Sequence, residues 1–175
     1  LSLTVRDTGL INSAIKSIPS VSNLLDIALK SLGPDFADRK WLRRNFCQAI
    51  LKLESTAYEG YLKSEHSAFE TLIIDWLKAH AKELEGMYAA HEDQVLNEFL
   101  RPLLVKYSPM AIQWEFRSAQ RRKARGGKSF EKVVETLLRS IGVNCELPKG
   151  RARNRLKRID LVVPDQQTAL SNPDR

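Results

Sequence analysis

Cysteine is scarce in this chain: Cys47 and Cys145 are its two thiols, and they lie far apart in sequence. That spacing excludes a disulfide framework and a cysteine-based metal cluster, and it suits a reducing, cytoplasmic setting. Long apolar runs are also missing. None approaches the ~18 residues needed to span a bilayer, so no membrane partner is expected. No charged segment followed by an apolar stretch opens the sequence, which argues against a secretory leader. Internal repeats and low-complexity segments are absent too. What is present is ordinary for a globular protein: 175 residues, 43% apolar and 28% charged, enough for one domain or two small ones.

The formal net charge of +7 is unevenly placed. Residues 1–110 hold 13 Lys+Arg against 14 Asp+Glu, whereas residues 111–175 hold 15 against 7. The excess therefore sits in the last third, where a concentrated positive field attracts a polyanion. Balanced charge in the first two-thirds excludes a generally adhesive surface.

Apolar periodicity predicts helices throughout residues 1–110. Ser20 and Ser22 are cap candidates before Leu24, Leu25, Ala28 and Leu32, and Gly33-Pro34 stops that helix. A long amphipathic helix from Asp38 carries Leu42, Phe46, Ala49, Ile50, Leu53, Ala57 and Tyr61. Another runs through Phe69, Leu72, Trp76, His80 and Leu84, and a fourth uses Val95, Phe99 and Leu103, with Pro102 bending or ending it. Beyond Pro109 a basic helix over 111–125 is interrupted by Gly126-Gly127, and Ser129 caps a new helix. That helix places Phe130, Val133, Val134, Leu137, Leu138 and Ile141 on one face and stops at Gly142. Val143–Leu147 is a strand candidate, and Arg158–Val163 reads as a strand covered on both faces, ended by Pro164-Asp165.

Asp160 is the anomaly of that second strand. A carboxylate among Ile159, Leu161, Val162 and Val163 requires a compensating cation or metal, or else a loop position paired with Arg158. Mg²⁺ takes one or two carboxylates plus substrate oxygens, and the preceding helix offers Glu131 and Glu135. Glu131 falls at the edge of the apolar arc and can reach the rim of a sheet. Glu135 falls further toward solvent, where it suits a surface pair with Arg139. Two basic segments bracket these carboxylates: Arg121, Arg122, Lys123, Arg125 and Lys128, then Arg151, Arg153, Arg155 and Lys157. In an extended arm the alternation of the second segment puts its cations on one side, suited to tracking phosphates. Neither segment holds an aromatic residue, which disfavours single-stranded targets. The plain alternatives are a solvated helix and a mobile basic loop.

The stretch Arg122-Lys123-Ala124-Arg125-Gly126-Gly127-Lys128-Ser129-Phe130-Glu131, a leucine-rich helix and then Arg158-Ile159-Asp160 resembles the catalytic domain of EcoRII-type restriction endonucleases, members of the PD-(D/E)xK nuclease superfamily. The resemblance covers roughly residues 117–165. It implies an α+β or α/β fold: a helical subdomain over 1–110, and over 111–175 the first part of a restriction-endonuclease-like core. By position, Glu131 resembles the family's helix glutamate, Asp160 its metal-binding aspartate, and Arg122 an arginine that contacts guanines. Gln120 stands where a second arginine is frequent, and Ile159 where proline precedes the aspartate; the literal Pro164-Asp165 is the runner-up. The family's lysine, on the strand after the aspartate, has no counterpart here, since no lysine follows Lys157. Either the chain stops short of that strand, which is the expected reason, or the protein is a non-cleaving relative.

The resemblance thus implies a type II restriction endonuclease. Asp160 and Glu131 would hold Mg²⁺ for attack by an activated water on a duplex-DNA phosphodiester, in a homodimer matched to a palindromic site. DNA contacts are expected from Gln120, Arg121, Arg122, Lys123, Arg125, Lys128, Arg151, Arg153, Arg155 and Lys157. The competing readings are a non-catalytic basic DNA-binding protein and a helical interaction module with a basic tail. His66, His80 and His91 form no triad or zinc site, and His80 reads as a core histidine. Trp41, Trp76 and Trp114 read as packing residues.

Overall fold

Helix-forming residues with short polar caps dominate the chain, and helices are what it builds. The computed structural model describes residues 3–90, 101–148 and 161–171. Within them lie α1 (Val5–Ser17), α2 (Val21–Ser31), a 3₁₀ turn (Pro34–Ala37), α3 (Arg39–Arg44), α4 (Phe46–Ala79), α5 (Ala81–Ala90), α6 (Arg101–Ser140) and α7 (Gln166–Ser171). Caps explain the starts. Thr4 and Asp7 form a reciprocal capping box on α1, Ser20 accepts from Asn23 N–H on α2, and Asp38 accepts from Lys40 N–H on α3. Gly33 and Gly142 explain two stops, with φ of 86° and 88°. At Gly142 the N–H groups of Gly142 and Val143 bond back to Arg139 and Leu138 carbonyls, a Schellman closure of α6.

The chain divides into two compact units, Leu1–Pro19 with Leu62–Arg122, and Ser20–Tyr61 with Lys123–Arg175. In the first, Ile11, Ala14, Leu72, Trp76, Met110 and Trp114 are buried. Trp114 stacks on Phe69 at 5.5 Å, and Trp76 meets the Tyr107 ring edge-on at 5.5 Å. In the second, Leu25 and Ala28 of α2, Leu42 of α3, Ala49, Leu53 and Ala57 of α4, and Val133 and Leu137 of α6 share one core with Phe36. The three- and four-residue steps that placed these residues on helical stripes are the steps that bury them.

The expected α/β core does not form among the described residues. Among the described residues no strand or sheet forms; the sole β contact is an isolated antiparallel bridge, Glu146 with Val162, exchanging two N–H···O bonds of 2.9 Å. One bridged pair has no ladder to extend it, and a sheet needs at least three strands with a shared apolar face to stand alone. Val143–Leu147 therefore contributes a single bridge residue, and of the run Arg158–Val163 the residues 158–160 lie outside the described residues.

Nor do Gly126 and Gly127 break the helix. α6 runs without interruption from Arg101 to Ser140, through both glycines and Pro109. A glycine costs a helix interior only about 1 kcal/mol, less than packing on either side returns. Ser129 is then mid-helix, so the backbone N–H groups it would cap are already bonded to carbonyls. Phe130, expected on the packed face, is 50% exposed, while Val133 and Leu137 are fully buried. The two helices read separately over Asp38–Tyr61 and Phe69–Leu84 are broken elsewhere: at Asn45, whose side chain bonds the Trp41 carbonyl at 3.0 Å, and at His80. Between these breaks α4 is continuous. The fourth predicted helix falls largely on 91–100, outside the described residues, and Pro102 lies within α6 and does not end it.

Candidate nucleic-acid interface

α6 carries the first basic segment, and the structure sorts its members by what they touch. In the first unit Arg122 is committed internally, its guanidinium bonding Glu65 Oε2 at 2.7 Å and Glu115 Oε1 at 2.5 Å. Hydrogen bonding to Glu65 holds its protonated form still more firmly. Glu65 is buried, so this ion pair is a structural tie. Arg121 is half-buried, and its Nε is shielded from solvent with no acceptor among the described residues; Gln120 is exposed. In the second unit Arg125 lies over the Tyr61 ring at 4.3 Å, a cation–π contact. Lys123 and Lys128 are exposed, and neither enters an ion pair among the described residues.

The two glutamates of this helix part company. Glu135, expected toward solvent, is 4% exposed. It is neutralised by Lys132 Nζ at 2.6 Å and Arg139 Nη2 at 2.8 Å, so the expected pair with Arg139 exists but is buried at its acidic end. The cause lies after Gly142, where the chain reverses along α6. Arg139 donates to the Cys145 carbonyl through Nε (3.2 Å) and Nη2 (2.9 Å), and the Cys145 thiol donates to the Glu135 carbonyl at 3.8 Å. Burial pushes the Cys145 thiol up and leaves it an inert packing group. Glu131, by contrast, is half-buried and makes no ion pair among the described residues. It stands three residues from Lys128 on neighbouring positions of one helix face.

Asp160, Arg151, Arg153, Arg155 and Lys157 lie outside the described residues, so the structure brings none of them to Glu131. The runner-up Asp165 is engaged elsewhere. It accepts from Thr168 N–H (2.8 Å) and Thr168 Oγ1 (3.1 Å), capping α7. Those bonds, the backbone one foremost, hold its carboxyl below the usual range. No group of three His, Cys, Asp or Glu side chains capable of holding a metal occurs among the described residues. Glu131 by itself is one carboxylate and does not make a Mg²⁺ shell. A shallow hollow of about 520 Å³ lies between α2 and α6 in the second unit, and its charges cancel, Asp26 and Glu135 against Lys132 and Arg139.

The three tryptophans and His80 take the packing positions expected of them. Trp76 and Trp114 are buried and Trp41 packs on Phe36. His80 bonds Asp7 Oδ1 at 3.0 Å and faces Glu83 at 3.6 Å, the core role expected of it. His66 sits on the surface beside Glu70, and His91 lies outside the described residues. No helix among the described residues is long and apolar enough to cross a membrane. Comparison with known protein families, curated proteins and solved structures returns no match.

Sequence reasoning missed Glu65 as the partner of Arg122, because the two are 57 residues apart. For Glu135 the Arg139 pair was legible from the i,i+4 spacing, and the same spacing rule at i−3 could have added Lys132.

Proposed function

We propose that this chain binds double-stranded DNA and hydrolyses its phosphodiesters as a restriction-type endonuclease. One observation carries the reading. In the second unit α6 presents two exposed lysines, Lys123 and Lys128, the latter one turn before the half-buried carboxylate of Glu131, and none of the three has an ion-pair partner among the described residues. The neighbouring Glu135 is consumed by Lys132 and Arg139. Solvent-facing lysines serve phosphate contacts, and an uncommitted carboxylate next to them is what substrate or metal chemistry requires. The absence of aromatics from both basic segments favours duplex over single strands. The sequence order of basic run, Glu131 and Asp160 is what supports the endonuclease reading, with the first two on one continuous helix.

Mg²⁺, once bound, would supply Lewis-acid stabilisation of the phosphoryl oxygens. Its second carboxylate in this reading, Asp160, lies outside the described residues. What the chain's own residues do is bind and orient. Lys123 and Lys128 neutralise backbone phosphates, and Arg122 and Arg125, tied to Glu65 and to the Tyr61 ring, hold the helix in place.

The test is supercoiled plasmid with the full chain and Mg²⁺. Cleavage by wild type, its loss in Glu131→Gln and in Asp160→Asn, and unchanged duplex affinity in both variants are expected. Duplex binding without cleavage in wild type assigns a non-catalytic DNA-binding protein. No duplex binding at all removes DNA as the partner.

A further inference from the structure

A second set of cations lies in the first two-thirds of the sequence, where the charge balances. α3 reads Arg39-Lys40-Trp41-Leu42-Arg43-Arg44, four cations in six residues, all four exposed. None enters an ion pair among the described residues, and the nearby Asp38 is occupied in capping the Lys40 N–H at 2.8 Å. The four divide into two i,i+4 pairs with different surroundings. Arg39 and Arg43 face the end of α6 within the same unit: Arg43 Nη2 donates to the Ile141 carbonyl at 3.2 Å, and a Cβ added to Gly142 would sit 3.6 Å from Arg39 Nη1. Leu42 is fully buried in the core of that unit and pins the helix from its other side. Lys40 and Arg44 have no such anchor among the described residues and stand in solvent on a helix that cannot rotate.

We infer that α3 is a second phosphate-contacting surface for duplex DNA, with Lys40 and Arg44 making the contacts and Arg39 and Arg43 positioning them. This deepens the proposed function and rests on duplex DNA being the partner. Leu42 and Arg43 fix the helix backbone that carries Lys40 and Arg44, so binding orders only those two side chains and not the helix beneath them. The one aromatic of α3, Trp41, is packed on Phe36 at 5.5 Å and is not offered for base stacking, so the surface fits a phosphate backbone. Lys123 and Lys128, the cations of the primary reading, belong to the same unit.

The experiment measures affinity of the full chain for a labelled duplex across a salt series, by anisotropy. Each cation that contacts a B-DNA phosphate adds about 0.9 to the slope of log K against log salt. Lys40→Ala with Arg44→Ala is expected to lower the slope by about 2 and to weaken binding several-fold at low salt, with Lys40→Arg retaining the wild-type slope. Lys123→Ala with Lys128→Ala is measured in parallel. A slope reduced by this second pair and untouched by the first overturns the α3 surface and leaves DNA binding standing. No duplex binding by wild type overturns both. Binding to phosphatidylserine vesicles that depends on Lys40 and Arg44, with duplex binding indifferent to them, assigns α3 to a lipid surface and overturns the inference. Circular dichroism of each variant excludes loss of fold, and because all four substituted side chains are exposed, native spectra are expected.

Discussion

Glu135 and Arg139, one turn apart on α6, are joined at 2.8 Å by a bond that is half in solvent and half in the protein. The guanidinium is exposed, the carboxylate is buried, and the same guanidinium also holds the Cys145 carbonyl. The pair is thereby both a helix-surface contact and the clasp that fastens residues 143–148 along α6.

Glu135→Ala removes the acidic member of that clasp and leaves Lys132 and Arg139 facing each other. A loss of about 2–3 kcal/mol is expected in urea unfolding, below the full cost of breaking a buried pair because both cations can turn to water. Glu131→Ala, at a half-buried site with no ion pair among the described residues, should cost under about 1 kcal/mol. Equal losses at the two positions would contradict the burial assigned to Glu135.

Gly126→Ala tests the continuity of α6. A Cβ at Gly126 meets nothing within 4 Å, so alanine should stabilise a helix there by about 0.5–1 kcal/mol. A chain that turned at Gly126-Gly127 would lose stability instead. Gly142→Ala is the complement: φ of +88° makes alanine unfavourable by about 1–2 kcal/mol. Thermal unfolding of the two variants should shift in opposite directions.

Leu137→Ala empties a fully buried site shared with α2, α3 and α4 and should cost about 3 kcal/mol. Phe130→Ala, on the exposed side of the same helix, should change stability by less than about 0.5 kcal/mol. A large loss at Phe130 in denaturant titration would restore it to the packed face.

Asp7 sets an acid limit. Burial raises its carboxyl pKa, and the bonds from Thr4 and His80 outweigh that and hold it below the ordinary value. A depressed folded-state value means stability that is complete above the unfolded pKa of about 3.9 and is lost as pH falls through the folded one. Asp7→Asn should therefore lower stability at neutral pH and flatten its decline below about pH 4, read from denaturation midpoints across pH.

Helix type, the starts at Ser20 and Asp38 and the stops at Gly33 and Gly142 were legible in the residues, because they depend on neighbours three or four places away. Ser20, Gly33, Gly142 and the stripe Ala49, Leu53, Ala57 and Tyr61 all act locally. The glycine pair misled because a propensity of about 1 kcal/mol is small beside packing that the sequence does not display. Leu161–Val163, the described end of the second strand candidate, misled for the reverse reason: apolar, β-branched residues announce a strand, but a strand exists only where partners lie alongside.

Of the candidate site, the sequence alone determined where the charge lies: an excess of positive charge after residue 110, and carboxylates at 131 and 160 within it. Which of those charges remain available was a matter of tertiary contact. Glu65 takes Arg122 from 57 residues away, and the reversal at Gly142 buries Glu135 and spares Glu131. Docking of α3 against the end of α6 turns a charge-balanced stretch into a fixed basic surface. Net charge is a sum over the chain and survives any folding, whereas a free charge is defined by the distance to its nearest opposite, and only the folded chain sets that distance.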